Sequence, residues 1–350
     1  MHIALVEIAN SHDECLLPQL LALKSTGVRI TLVCNPQIRH RNPEFEVLVD
    51  QFIQLDMLGS QVQNFLTMRN LMRRLEKEEV KKVVFNTAQG GHVRNAIIFA
   101  KRSKMECLGI LHTVRKVRDS FTQNRIHKKI KRYLVLAEFL KNKNDTPKGI
   151  SLSHFYPIHP VTQNGHTSAV GLNITLIGEV ENRRKDLLSI PHLLDQLPAY
   201  TKLTFLGKSD PNSEERRKLE GDLKSRGHLD KVVFYDEFVP HSEFEQVLST
   251  SHFLLPLIHP GTPSAEQYFE NQIPGAMNIA FAHKIPMLIH AHFSSLSELN
   301  SASLYYELET IGEVVAKGVQ ELNELKTKMN AEPAYQFEVQ AERYRQFVLS

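Results

Sequence analysis

The chain has 350 residues, enough for two domains that each bury a core of their own. Hydrophobic residues make up 42% and charged residues 23%, a composition typical of globular proteins that excludes a disordered or collagen-like chain. The 42 Lys and Arg residues against 39 Asp and Glu residues give a net charge of +3, which excludes a polycation that coats nucleic acid.

The cysteines and the first residues predict a cytoplasmic protein. Cys15, Cys34 and Cys107 are odd in number and lie in or beside apolar runs, as reduced core thiols do. The N-terminus lacks a basic region and has only about seven apolar-rich positions, too few for a signal peptide. No stretch approaches the roughly 18 apolar residues of a spanning helix, which leaves peripheral membrane contact as an open alternative.

The first half alternates between apolar strands and helices. Short β-branched runs predict strands buried on both faces: His2–Ile8, Arg29–Asn35, Phe52–Leu58, Lys82–Thr87, Cys107–Thr113 and Tyr133–Glu138. Segments with helical spacing lie between them: Asp13–Thr26, Gln63–Glu79 and Gly91–Lys104. This alternation predicts parallel βαβ units with right-handed crossovers, and therefore an α/β domain over residues 1–155.

The second half repeats this rhythm after a segment rich in proline, glycine and small polar residues, predicted as a linker over 156–170. Its predicted strands are Asn173–Glu179, Lys202–Lys208, Lys231–Glu237, His252–Ile258 and Ile285–His290. Its predicted helices are Arg184–Leu197, Ser213–Arg226, Ser242–Ser249 and Gly275–Ala282. We therefore predict two tandem Rossmann-like domains with doubly wound parallel sheets, the second over 171–310. A helical segment over 311–350 follows, which Pro333 should break or kink.

The segment 238–290 carries the most information about function. It contains a Val-Pro turn, a strand ending at Pro256, a polar loop, and a helix that opens with Pro274, Gly275 and Ala276. The phrases IGEVENRRKDLL, LTFLGK, VVFYDEFVPHSEFEQVLSTSHFLLPL and PGAMNIAFAHKIPMLI follow in the order, and at about the spacing, of a known family. In them the chain resembles the nucleotide-binding domain of GT-B glycosyltransferases, the group 1 or glycogen-synthase-like superfamily.

This resemblance implies a metal-independent glycosyltransferase of the hexosyltransferase type, built from two Rossmann-like domains that face a cleft. Its second domain would bind a nucleoside-diphosphate sugar of the UDP or GDP type as co-substrate, with no other cofactor. Its first domain would bind the acceptor hydroxyl of a glycan or a lipid-linked saccharide, as in polysaccharide biosynthesis. A nucleotide-sugar epimerase or hydrolase of the same architecture, and a domain pair that binds nucleotide or glycan without catalysis, are the alternatives.

The helix that opens at Gly275 is predicted to bind the diphosphate. The first amides of a helix are unpaired and lie at the positive end of its dipole, and glycine lets the backbone approach a ligand closely. The predicted contacts are the amides of Gly275, Ala276 and Met277. An ordinary helix start with a tight turn is the alternative.

Basic residues after the first two strands of this half should complete the anion site, because the departing diphosphate needs its charge neutralised. Arg183, Arg184 and Lys185 follow the first strand and Lys208 the second, and the resemblance implies phosphate contacts at both places. A solvated basic helix start is the alternative. The resemblance implies further donor contacts at Phe238, Val239 and Asn278. The polar loop before Pro274 could bind sugar or ribose hydroxyls, or be merely exposed; its polar residues are Glu266, Gln267, Tyr268, Glu270 and Gln272.

These further contacts have alternatives and one departure from the family. Phe238, with Val239, would pack on the nucleobase, or else belong to the core. Glu266 and Glu270 are four positions apart, whereas many retaining members have two glutamates eight apart, so the stereochemical outcome stays open. Asn278 would bind a ribose hydroxyl in place of the family's carboxylate.

Two histidines in the first half are candidates for catalysis. His12 follows the first strand, and its ordinary pKa near 6.5 suits removal of a proton from an acceptor hydroxyl, with Asp13 orienting it. A well-capped helix start is the alternative for this turn. His112 ends the fifth predicted strand, where the resemblance implies a contact with the donor sugar and a structural histidine is the alternative.

The segment 115–143 is strongly basic. It could dock on an anionic membrane, an acidic glycan or a lipid pyrophosphate, or be a solvated helix face. Few aromatic residues are interleaved with it, so no nucleic-acid partner is expected. The 17 histidines of the chain show no metal-ligand spacing, and we predict no metal site.

Overall fold

A computed structural model describes residues 1–115, 117, 120–142, 146–161 and 171–350. The chain forms two compact units. Unit 1 comprises Met1–His159 and Phe337–Ser350, and unit 2 comprises Pro160–Gln336. Each unit contains one parallel sheet, as the alternation of strands and helices predicts.

Unit 1 contains a seven-stranded sheet in the order β3-β2-β1-β4-β5-β6-β7, with every pairing parallel. Its strands are β1 (His2–Val6), β2 (Arg29–Cys34), β3 (Gln51–Gln54), β4 (Lys82–Phe85), β5 (Glu106–Leu111), β6 (Arg132–Val135) and β7 (Ser151–His154). All five residues of β1 are buried, because β1 is an interior strand of the sheet. The order reverses between β1 and β4, and this switch point is where open α/β sheets bind ligands.

In the described residues the connecting helices are α1 (Leu16–Lys24), α2 (Pro36–Arg41), α3 (Gln61–Lys77), α4 (Gly90–Ala100), α5 (Phe121–Ile126) and α6 (Glu138–Asn142). The longest, α3, begins at a capping box in which the Ser60 hydroxyl accepts from the Gln63 amide and the Gln63 side chain accepts from the Ser60 amide. It packs beside α4.

Unit 2 contains a six-stranded parallel sheet in the order β10-β9-β8-β11-β12-β13. Its strands are β8 (Leu172–Ile177), β9 (Thr201–Lys208), β10 (Val232–Tyr235), β11 (Phe253–Leu254), β12 (Met287–His290) and β13 (Ser303–Tyr306). This is the doubly wound Rossmann order, with its switch point between β8 and β11.

The helices of unit 2 are α7 (Ile190–Gln196), α8 (Glu214–Ser225), α9 (His241–Thr250), α10 (Ala265–Glu270), α11 (Gly275–His283), α12 (Ile311–Gln320) and α13 (Leu322–Ala331). The predicted helix from Arg184 to Leu197 begins later than expected, at Ile190, with Pro191 in its first turn. The polar residues before it form a turn. No helix in the described parts of the chain is long and apolar enough to cross a membrane.

The segment 311–350 divides between the two units, which corrects the prediction of one trailing helical segment. Pro333 separates α13 from α14 (Phe337–Leu349), and α14 belongs to unit 1, where it packs on α1. There the Tyr344 hydroxyl donates to Gln19 Oε1 at 2.8 Å, and Gln340 Oε1 accepts from the Tyr156 amide at 2.9 Å. Contacts between residues this far apart in the sequence leave no local pattern from which the packing of α14 could be predicted.

The boundaries of the predicted linker and of several strands also differ from expectation. Tyr156 and Ile158, predicted as linker residues, are buried in unit 1, and 162–170 lie outside the described residues. The predicted strand His252–Ile258 shortens to β11, because Pro256 lacks an amide hydrogen and Leu257 has φ +57°. The edge strands β7 and β13 were not predicted.

Candidate functional site

A cavity of about 450 Å³ lies at the carboxyl edge of the unit 2 sheet. Ile177 and Gly178, at the end of β8, and Pro256, just after β11, line it, so it sits at the switch point of the doubly wound sheet. The turn after β8, Tyr268 of α10 and the start of α11 complete its wall. This is the position at which parallel α/β sheets bind ligands.

The first turn of α11 presents free amides to this cavity. Pro274, Gly275 and Ala276 line it, and no side chain caps the helix. Among the described residues, the amides of Gly275 and Ala276 have no hydrogen-bond partner. The Met277 amide, predicted as a third phosphate contact, donates to Pro274 O at 3.0 Å. A Cβ on Gly275 would meet no atom within 4 Å, so the space above the helix start is open.

Basic side chains of the turn after β8 line the same cavity. Arg184 and Arg183 contact the Glu181 carboxylate at 2.9 and 3.6 Å. Lys185 is only 6% exposed and donates from Nζ to Glu179 O at 2.6 Å. Burial lowers the pKa of Lys185 to about 8, with nearby carboxylates opposing that shift. Cationic groups therefore face the cavity from one turn.

A buried hydrogen-bond chain anchors this turn against the end of β11. Asp186 Oδ2 contacts His259 Nδ1 at 2.8 Å, and His259 Nε2 contacts the Tyr306 hydroxyl at 2.7 Å. The hydrogen bond from His259 lowers the pKa of Asp186. The Asp186 amide donates to Leu257 O at 3.0 Å, joining the turn to the loop that follows β11. Side-chain and backbone hydrogen bonds together hold the basic turn in place.

Three predicted donor contacts at or after the ends of the neighbouring strands β9 and β10 lie outside the lining of this cavity. Lys208, at the end of β9, pairs with the exposed Glu237 at 3.1 Å. Phe238 is 68% exposed, so the alternative that it belongs to the core is wrong, whereas Val239 is buried. An exposed aromatic ring beyond a strand end is available to stack on a planar ligand.

The predicted polar loop before α11 includes a short helix, α10, with Glu266 and Glu270 exposed on it. Gln272 accepts a hydrogen bond from Gln267 Nε2 at 2.9 Å. Asn278 is buried, and its Oδ1 has no hydrogen-bond partner among the described residues. None of these four predicted contacts lines the cavity, whereas Tyr268 of the same predicted polar loop does.

The two candidate histidines of unit 1 lie together. The rings of His12 and His112 stack with centroids 3.8 Å apart and planes 25° from parallel. His112 Nε2 donates to Asn86 O at 2.8 Å, and burial, followed by the neighbouring His12, lowers the pKa of His112 to about 4. His12 has φ +65°, an uncommon conformation for a residue with a side chain. The ring of His112, whose lowered pKa keeps it neutral, thus stacks against the ring of His12.

Glu14 is the acid that contacts His12, whereas Asp13 was predicted. Glu14 Oε1 lies 3.4 Å from His12 Nδ1. Burial alone would lower the pKa of His12, but the bond to Glu14 and the nearby acids outweigh it and raise the pKa. Asp13 instead pairs with Arg41 at 3.1 Å and accepts from Asn42 Nδ2 at 2.9 Å.

A buried acid that the sequence analysis did not identify stabilises this site. Glu7, fully buried after β1, accepts from Asn86 Nδ2 at 2.7 Å, Thr87 Oγ1 at 2.7 Å and the Ala9 amide at 2.8 Å. Burial raises the pKa of Glu7 above its ordinary value. Asn86 Nδ2 also donates to His12 O at 2.9 Å, so this network fixes the strained His12 backbone. The sequence signal for this site was Glu7, a single acidic residue within the apolar run His2–Ile8.

The basic segment 115–143 is partly engaged inside unit 1. Arg132 contacts Glu106 at 3.1 Å, and Lys129 Nζ donates to Ser103 O at 3.0 Å. Lys116, Arg118 and 143–145 lie outside the described residues. No group of three or more potential metal ligands occurs in the described part of the chain, and metal independence remains a prediction.

The sequence matches no protein-family model and no curated protein. Among solved structures, a glycosyltransferase from Rickettsia africae matches with a TM-score of 0.72 at 10% identity, covering 99% of this chain and 98% of that one. Anabaena HepE in complex with UDP matches at 0.65 with 10% identity, covering 99% and 95%. A UDP-GlcNAc 2-epimerase from Neisseria meningitidis matches at 0.62 with 14% identity, covering 98% of both chains.

These similarities extend over nearly the whole chain and agree with the two all-parallel sheets and with the predicted resemblance. At 10–14% identity they establish architecture and no particular activity. The chain has the GT-B fold, the two-domain Rossmann-like architecture of many glycosyltransferases.

Proposed function

We propose that this protein is a glycosyltransferase that moves a sugar from a nucleoside-diphosphate sugar to an acceptor hydroxyl. The observation that carries the proposal is the unit 2 cavity, in which the uncapped start of α11 and the cationic turn after β8 line one space. Helix N-termini and clustered cations favour phosphate groups. The fold is compatible with this activity, and HepE, which shares it, was solved with UDP bound.

The diphosphate would accept hydrogen bonds from the amides of Gly275 and Ala276 and from the three basic side chains of the turn. Glu181 now holds Arg183 and Arg184, and an entering diphosphate would take its place as their counter-charge. Each charge-assisted hydrogen bond contributes about 1.5–3 kcal/mol. These interactions strengthen as the leaving group gains charge, so they favour departure of the nucleoside diphosphate.

His12 would be the base that activates the acceptor. Its Nδ1 is held by Glu14, and its Nε2 has no partner among the described residues, so Nε2 would take the hydroxyl proton. The acceptor oxygen then bonds to the anomeric carbon. The bond from that carbon to the diphosphate oxygen breaks, and its electron pair leaves with the nucleoside diphosphate. His112, held neutral by burial and its bond to Asn86, would orient the donor sugar.

The donor site is tested by calorimetric titration of UDP and GDP into matched variants. Gly275→Trp fills the open space above α11 and should weaken nucleotide binding at least about tenfold. Gly221→Trp is the control, because a side chain at this α8 position also meets no atom within 4 Å but lies outside the lining of the cavity. Equal nucleotide affinity in both variants would refute the diphosphate site.

Two other activities fit the same donor site. A nucleotide-sugar epimerase is favoured by the similarity to the Neisseria 2-epimerase, and a hydrolase is its close relative. A non-catalytic nucleotide- or glycan-binding protein is favoured by the missing glutamate spacing. Product analysis separates the three: a glycosylated acceptor supports transfer, an epimer or free sugar formed without acceptor supports the second, and binding without turnover supports the third.

A further inference from the structure

A second cavity, of about 710 Å³, lies between α3 and α4 of unit 1. It extends along α4 from Gly91 to Ile98, a distance of about 10 Å at 1.5 Å per residue. Its volume is within the range of small-molecule sites. We refer to it as the α3–α4 groove. None of the candidate residues discussed above lines it.

The α3–α4 groove has an apolar wall that unit 1 leaves exposed. Val62 is 69% exposed, Ile98 51% and Phe65 36%, although each is a large apolar side chain. All three line the groove and form its apolar wall, from two neighbouring helices. Water contact with such a surface is unfavourable by about 25 cal/mol per Å², so an apolar ligand would bind there favourably.

Cationic and neutral polar groups share the groove with this wall. Arg94, His92 and Asn95 line it, and no carboxylate does among the described residues. The Arg94 guanidinium donates to Asn95 Oδ1 at 3.0 and 3.2 Å and makes no ion pair within the described part of unit 1. An arginine with no acidic partner favours an anion with paired oxygens, such as phosphate.

The polar end of the groove begins at the same sheet edge as the two histidines. α4 follows β4, whose end is tied to the histidine site through the bond from Thr87 to Glu7. The side chain of Gln89, the residue before α4, donates to Thr113 O at 2.7 Å, next to His112. Arg94 lies about one turn into α4, so a phosphate on it would be nearer this edge than an apolar chain beside Ile98.

We propose that the α3–α4 groove binds the lipid phosphate part of the acceptor, with an apolar chain along Val62, Phe65 and Ile98 and the phosphate on Arg94. The inference rests on the proposed function and narrows its acceptor to a lipid-linked saccharide. The groove joins an apolar wall to Arg94, a cation with no acidic partner among the described residues, and an amphipathic anion requires this combination. A free glycan would use only the polar end.

The test is titration of octyl phosphate, a soluble probe with both features, against octanol and inorganic phosphate. Octyl phosphate should bind the intact chain saturably, below the concentration at which it forms micelles. Arg94→Gln should weaken octyl phosphate about tenfold while leaving octanol unchanged. Ile98→Asp and Val62→Asp should weaken both. Val47→Asp is the control, because Val47 is 74% exposed in unit 1 and lies outside the groove.

Several results would overturn the inference. Octyl phosphate affinity unchanged in Arg94→Gln, Ile98→Asp and Val62→Asp would do so, as would binding only as micelles. A dimer that Ile98→Asp converts to monomer would show that a second copy of the chain covers the groove. Titration of UDP separates the two proposals. If the wild-type protein does not bind UDP, the donor site is refuted, whatever octyl phosphate does; the groove variants should bind UDP as the wild type does.

Discussion

Lys185 should make nucleotide binding depend on pH. Its ammonium lines the unit 2 cavity, and burial lowers its pKa from 10.5 to about 8. A diphosphate bound beside it would favour the charged form and raise the pKa again. Binding at or above pH 8 should therefore transfer a proton from solvent to Lys185, and affinity should fall as the pH rises.

The size of this effect follows from the pKa. With a value of about 8, roughly 90% of Lys185 is protonated at pH 7 and roughly 10% at pH 9. If the bound state requires the ammonium, UDP affinity falls about tenfold over this range, while the phosphates stay ionised because their second pKa is about 6. The free protein should also gain stability between about pH 8 and 10.5, where the unfolded chain binds the proton that folded Lys185 has lost.

Isothermal titration calorimetry of UDP at pH 7, 8 and 9 measures this linkage. Repeating the pH 8 titration in buffers of different ionisation enthalpy should reveal an uptake of about half a proton per UDP. Lys185→Met should lose both the uptake and most of the pH dependence, and Lys208→Met should keep them. Wild-type affinity that is constant from pH 7 to 9, or uptake that persists in Lys185→Met, would refute the reasoning.

Three further outcomes are expected. Glu14→Gln should move the acid limb of the transfer rate to lower pH, because burial then dominates the pKa of His12; an unmoved limb in a pH–rate profile contradicts this. Gly207→Ala should cost about 1–3 kcal/mol in urea unfolding, because its Cβ would lie 2.6 Å from the Gly178 backbone; a cost no greater than that of Gly221→Ala, whose Cβ meets no atom within 4 Å, would not fit. Phe238→Ala should leave stability unchanged but weaken UDP by about 1–3 kcal/mol if its ring stacks on the base; equal affinity excludes stacking.

The sequence was informative wherever local chemistry decides the outcome. Pro274 followed by Gly275 predicts the start of α11, and the structure begins the helix at that residue. Strand and helix alternation predicts both parallel sheets, because buried parallel strands read as continuous apolar runs. Arg183 and Arg184 line the cavity, as their place after the first strand of unit 2 predicts.

The sequence was less informative wherever distant residues decide. Either of the adjacent acids Asp13 and Glu14 could contact His12 as far as the sequence tells. In the structure Asp13 pairs with Arg41, 28 positions later, and Glu14 contacts His12. The Met277 amide donates a hydrogen bond to Pro274 O, three residues earlier, and the spacing of residues in the sequence does not predict this bond. The docking of α14 on unit 1 depends on contacts between positions more than 180 residues apart.

The crystal structure of the complex with UDP tests the central claim most directly. The account predicts diphosphate oxygens about 2.7–3.2 Å from the amides of Gly275 and Ala276, with Arg184 turned from Glu181 toward the phosphate. A diphosphate bound away from the start of α11, with Arg184 still paired to Glu181, would contradict it.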